Sequence, residues 1–114
     1  MTNWTTLPHE NLRAYQAARQ LLLVVHEANI GDAKLRDQAL RAAKSVCLNI
    51  AEAVGRYSEA DQKRVFAIAR GEVCEVNSAL DIAALIGECP ADKAHLRCFR
   101  SGRSMSDDFR RSGI

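Results

Sequence analysis

The sequence predicts an all-α fold, an antiparallel up-and-down four-helix bundle whose fourth helix is short or irregular. Three observations carry that expectation. Apolar residues recur at helical spacing through most of the chain, and Val and Ile do not alternate with polar residues as a half-buried strand requires. Aromatics make up only 5% of a chain that is 47% apolar, an Ala- and Leu-rich balance suited to helices packed closely together. Finally, the run Asn49-Ile50-Ala51-Glu52-Ala53-Val54-Gly55-Arg56-Tyr57-Ser58-Glu59 stops one long amphipathic segment and starts another, which makes a helical hairpin. The 114 residues suffice for one domain with a hydrophobic core, with residues 1–7 and about 102–114 expected to be flexible.

The first helix is expected from near Pro8, whose fixed φ suits a first turn, to about Ala28, where Asn29-Ile30-Gly31-Asp32 breaks it. Ala14, Tyr15, Ala18, Leu21, Leu22, Val25 and Ala28 form its apolar arc. Leu23 projects from the opposite, polar arc, between Gln20, His26 and Glu27. The second helix runs from about Ala33 to Val54, with Asp32 as N-cap. Its two apolar stripes, one through Leu35, Ala39, Ala42 and Val46 and one through Leu40, Ala43, Cys47 and Ile50, cover close to half the circumference, so it must touch more than one neighbour. Leu48 sits on its polar side among Asp37, Arg41, Lys44, Ser45 and Glu52. A lone exposed Leu is ordinary. Two on separate helices point to a subunit interface, and Leu23 and Leu48 are the candidates for it.

Gly55 is expected to close the second helix in a left-handed conformation, and Ser58 with Asp61 has the form of an N-terminal capping box for the third, which runs from about Glu59 to Ile86. Val65, Phe66, Ala69, Val73, Val76, Leu80 and Ala83 share one face. Gly71 interrupts this helix at ~1 kcal/mol relative to Ala, which suggests close approach by another backbone. Glu72, at the edge of the apolar face, is expected to pair with an Arg on a neighbouring helix. Gly87 ends the helix. The segment from Ala91 to Arg111 carries an imperfect stripe through Ala94, Leu96, Cys98, Phe99, Met105 and Phe109, cut by Ser101-Gly102.

The net charge of +2 is unevenly placed. Residues 1–90 carry 10 Lys/Arg against 11 Asp/Glu, and residues 91–114 carry 6 against 3, so the excess lies in the C-terminal segment. No apolar run approaches the roughly 20 residues that span a bilayer, and the N-terminus does not resemble a signal peptide. No membrane association and a cytoplasmic location are therefore expected. There the four cysteines would be free thiols, with Cys47 and Cys74 packed as small core residues.

No catalytic, cofactor or metal constellation emerges. His9, His26 and His95 lie on separate segments, and Cys89, His95 and Cys98 match no regular zinc spacing. No Glu has His three residues later, the spacing a di-iron bundle uses. An enzyme is not expected, nor is a cofactor. What remains is basic character. Arg41, Lys44 and Arg56 project from the polar arc of the second helix, and the turn adds basic character beside the N-terminus of the third, a natural anion site; Tyr57 adjoins Arg56, and Arg97, Arg100 and Arg103 add cations further on. Two readings stay open, a solvated face with intrahelical ion pairs and a patch for RNA or DNA phosphates.

The segments Leu12 to Leu21, Gln38 to Val46, Asn49 to Arg56 and Ala69 to Glu75 resemble a bacterial family of four-helix-bundle proteins first recognised as open reading frames in intervening sequences of large-subunit ribosomal RNA genes. By position Asn49, Glu52, Gly55, Arg56, Gly71 and Glu75 match its pattern, whereas Ala53 replaces the usual Gly and Glu72 stands where Ser is common. The resemblance implies a bundle without known catalysis, commonly a homopentamer. It is similar in fold to the accessory protein of diversity-generating retroelements, which binds nucleic acid and a reverse transcriptase. The expected function is a non-enzymatic oligomeric binding or scaffold protein that associates with nucleic acid, or with a nucleic-acid-processing protein, through basic helix surfaces. The alternative is a structural protein–protein interaction module with no nucleic-acid role.

Overall fold

The computed structural model describes His9 and residues 12–89. Within them the chain is all-helical: α1 (Arg13–Ala28), α2 (Ala33–Val54) and α3 (Glu59–Leu85), with no strand among the described residues. The expected fourth helix, and Pro8 as a helix start, lie outside them. The helix count of a four-helix bundle is thus not reached by the described part, which comprises three.

The α2–α3 hairpin is the packing centre, and α2 also packs against α1, as the width of its apolar face required. Local chemistry sets its limits. Asp32 Oδ1 accepts from the backbone N–H of Lys34 at 2.9 Å and of Leu35 at 3.2 Å, which satisfies two otherwise orphaned donors at the start of α2. Ser58 Oγ accepts from the N–H of Asp61 at 3.0 Å and caps α3. At its far end Gly87 adopts φ +73°, its N–H donates to Ala84 O, and the Glu88 N–H donates to Ala83 O at 2.8 Å, the paired bonds of a Schellman closure.

Three details differ from expectation. First, α1 starts at Arg13, because Leu12 is already extended (φ −74°, ψ 128°) and offers no side-chain cap. Second, Gly55 is right-handed (φ −82°, ψ −6°), and its N–H reaches back to Glu52 O at 3.0 Å. Besides Gly87, the left-handed region is taken by Asn29 (φ 46°), a type that tolerates it. Third, Gly71 is exposed and meets nothing: a Cβ added there has no neighbour within 4 Å, so close backbone approach is not its reason.

The core is built from fully buried Leu21, Val25, Val46, Ile50, Val73, Val76 and Leu80, interleaved with alanines such as Ala18, Ala39, Ala43 and Ala69 that let the axes approach closely. Ile30, in the α1–α2 turn, is fully buried as well. Its carbonyl accepts from Arg36 Nη1 at 3.1 Å, and the next residue, Gly31, donates its N–H to Glu88 O at 2.8 Å. The turn is thereby tied to the end of α3.

Candidate interaction surface

The hairpin holds its two helices in register through polar bonds at the rim of the core. Asn49 Nδ2 donates to Glu72 Oε1 at 2.5 Å and to Ser45 Oγ at 3.3 Å. Gln38 Nε2 donates to Glu75 Oε1 at 3.3 Å, and Gln62 Nε2 to Arg56 O at 3.1 Å. Glu72 thus finds Asn49, a neutral amide on α2, where an Arg partner was expected. A charged acceptor strengthens such a bond, and the half-buried site raises the cost of losing it.

Beside these bonds a groove of about 500 Å3 runs between α2 and α3. Lys34, Asp37, Arg41 and Ser45 line its α2 wall, and Glu72 and Glu75 line its α3 wall. The walls differ in charge.

The three cations expected to act together on α2 and the turn divide into two groups. Arg41 and Lys44 are exposed and form no ion pair with any described residue. Arg56, just past the end of α2, bonds to Glu52 one turn back and lies 3.5 Å from Asp61, which also holds Arg64 at 2.9 Å. That bond to Glu52, with the charge of Asp61 behind it, holds the Arg56 guanidinium above its ordinary range. The N-terminus of α3 meanwhile carries its own carboxylates, Glu59 and Asp61, in the first turn. They answer the helix dipole locally, so this end is a poor anion site. Tyr57, next to Arg56, is fully exposed. Arg97, Arg100 and Arg103 lie outside the described residues.

Both candidate interface residues face solvent: Leu23 is 50% and Leu48 71% exposed. Ile68, Ile82, Leu85 and Ile86 on or just after α3 are exposed too. Sequence reasoning missed these because they flank the buried stripe of α3 and read as its margin. Their spacing was the available signal, since Ile68, Glu75 and Ile82 repeat every seven residues and so share a face.

Other expected features fall as follows. Cys47 is half-buried, and burial pushes its thiol up against smaller opposing effects from a backbone hydrogen bond and the charge of Arg19. Cys74 is exposed, contrary to its expected place in the core, because it lies on the far side of α3 from Val73 and Val76. Cys89 is buried, and Cys98 lies outside the described residues. His9 stacks edge-on against Tyr15, with ring centroids 4.6 Å apart. Among the described residues no three His, Cys, Asp or Glu side chains lie close enough to hold a metal ion, and no helix is long and apolar enough to cross a membrane.

The six positions that match the family pattern sit on this hairpin. Asn49 and Glu75 cross-link its helices, Glu52 and Arg56 pair at the turn, and Gly55 closes α2. No curated protein matches the sequence. The family model for the 23S rRNA-intervening sequence protein matches residues 10–97, which include all three helices. The chain belongs to the 23S rRNA-intervening sequence protein family.

Proposed function

We propose that the chain is a non-catalytic scaffold that assembles with copies of itself, five in number by the family resemblance, and presents the assembled surface to a partner. The observation that carries this reading is Leu48, 71% exposed at the middle of the polar face of α2 and directly opposite the buried stripe Ala39, Ala43, Val46 and Ile50. Folding of one copy gives that side chain little burial. Association with another copy does, and Leu23 stands in the same relation to α1. Sedimentation velocity across a concentration series tests the reading. A species larger than 12.6 kDa is expected, and a monomer at every concentration would overturn it.

A second reading, association with RNA, DNA or a nucleic-acid-processing protein, is favoured by the unpaired exposure of Arg41 and Lys44 and by the cationic segment after residue 90. The family's name, which includes 23S rRNA, makes RNA the first nucleic acid to test. Mobility shift with RNA and with DNA across a salt series separates the cases. Phosphate-driven binding falls steeply as salt rises. Charge reversal at Arg41 and Lys44 should then weaken it, and reversal at Arg56, already held by Glu52, should matter less.

A further inference from the structure

Resting on the self-assembly reading, we propose that the outer face of the α2–α3 hairpin is a self-complementary surface on which a second copy of this chain docks, pairing Arg41 of each copy with Glu75 of the other and Leu48 with Ile68.

The charges across the groove are segregated by helix. The α2 wall carries the two cations Lys34 and Arg41, offset by Asp37, whereas Glu72 and Glu75 give the α3 wall only negative charge. Arg41 and the two glutamates line one groove, yet none of them forms an ion pair with a described residue. Among the described residues the carboxylates are met by the amides of Asn49 and Gln38. Charges of both signs are therefore left open to a partner.

The register of the hairpin sets heights along this face. With Asn49 beside Glu72, Gln38 beside Glu75 and Arg56 beside Gln62, Arg41 stands within about one helical turn of Glu75, and Leu48 within about one turn of Ile68. At about 100° per residue, Arg41 and Leu48 project from nearly one line of α2, and Ile68, Glu75 and Ile82 from nearly one line of α3. Leu48 and Ile68 are 71% and 46% exposed.

Two copies meeting on this face can be related by a two-fold axis in the plane of contact. If the axis runs across the helices, α2 faces α2 and α3 faces α3 with heights inverted, so the net-cationic α2 wall meets its counterpart and the glutamates of the α3 wall meet theirs. If it runs parallel to the helices, α2 of each copy lies over α3 of the other at unchanged height. Every contact then forms twice, with Arg41 over Glu75, Leu48 over Ile68, and the aliphatic stem of Lys34 over Ile82. Electrostatics selects the second arrangement, because juxtaposed like charges are strongly unfavourable. The contact joins copies in pairs, so in a ring of five it would join one ring to another through Leu48 and leave Leu23 to the contacts within each ring.

Charge exchange tests this with the full chain. Mass by sedimentation velocity is compared for the parent, Arg41→Glu, Glu75→Arg and the double exchange, with thermal melts as a check on folding and an RNA mobility shift in parallel. Each single exchange is expected to weaken pairing by about tenfold or more and the double exchange to restore it. An associating parent whose mass ignores both single exchanges, or whose pairing the double exchange does not restore, overturns the inference and leaves self-assembly standing. So does an Arg41→Glu variant that loses RNA binding at unchanged mass. A monomeric parent overturns both.

Discussion

Replacing Leu48 by Ala should weaken association while leaving the fold of each copy intact. Full burial of a Leu side chain is worth about 1.5–3 kcal/mol. With 71% of Leu48 still accessible after folding, about 1–2 kcal/mol remains to be gained on association. A two-fold contact uses the residue twice, which makes about 2–4 kcal/mol per pair, or about a 30- to 700-fold rise in the dissociation constant at ~1.4 kcal/mol per tenfold. Ala keeps its Cβ, so the upper figure is a ceiling. The helix itself loses nothing, because Ala is the best helix former. Sedimentation velocity over a concentration series reads the first effect, and thermal melts at concentrations where the parent is dissociated read the second. Ile50→Ala serves as the contrast: Ile50 is fully buried, and its truncation should cost about 2–5 kcal/mol of folding stability. If Leu48→Ala leaves the mass profile unchanged, the contact lies elsewhere. If it lowers the monomer melt as Ile50→Ala does, Leu48 is a core residue and the reasoning fails.

The remaining predictions concern the fold and the thiols. Gly71→Ala should raise stability by about 0.5–1 kcal/mol, since the added methyl meets nothing within 4 Å and a mid-helix Gly is entropically costly; a lower melt would show that Gly71 packs against something. Asp32→Ala should lower stability by about 0.5–2 kcal/mol through loss of both capping bonds, measured by urea titration, and an unchanged midpoint would mean that water replaces them. Near pH 8 a thiol reagent should label exposed Cys74 well before Cys47, whose raised pKa leaves less thiolate and whose side chain is half-covered; labelling in the opposite order would contradict both.

How much the sequence disclosed depends on how local the governing chemistry is. The start of α2 at Ala33, the start of α3 at Glu59 and the stop at Gly87 follow from Asp32, Ser58 and a glycine, each acting within a few residues. The start of α1 at Arg13 is less legible, because no side chain caps it and nothing in the sequence marks Leu12. At Gly55 the residue type permitted a left-handed turn, but the chain closes α2 by a short reach back to Glu52 O and leaves that conformation to Asn29. Ile30 was invisible for another reason. Helical periodicity stops at the turn, and only the tertiary bond of Gly31 to Glu88 places that turn over the core. The same division holds on the surface. Leu23 and Leu48 stand out against polar arcs that can be drawn on paper, whereas the groove needs the register of α2 against α3, which is written in contacts 23 and 37 residues apart.

The residues that mark the family do mechanical work in this hairpin. Asn49 is the clearest case: from one amide it donates to Ser45 on its own helix and to Glu72 on the next, fixing both the rotation of α2 and the height of α3. Glu52, Arg56 and Asp61 do the same for the turn by pulling one cation between the end of one helix and the start of the other. A cation so engaged is poorly placed to recruit phosphate, since a new anion must compete with two carboxylates already beside it. Arg41 and Lys44, by contrast, are not among the six positions that match the family pattern, and they lie outside the ion-pair network of the described residues. The motif therefore accounts for why the chain folds as this hairpin, and the choice between self-assembly and nucleic acid rests with residues next to it: Leu48, Arg41 and Lys44 on α2, facing Ile68 and Glu75 on α3 of whichever molecule comes against them.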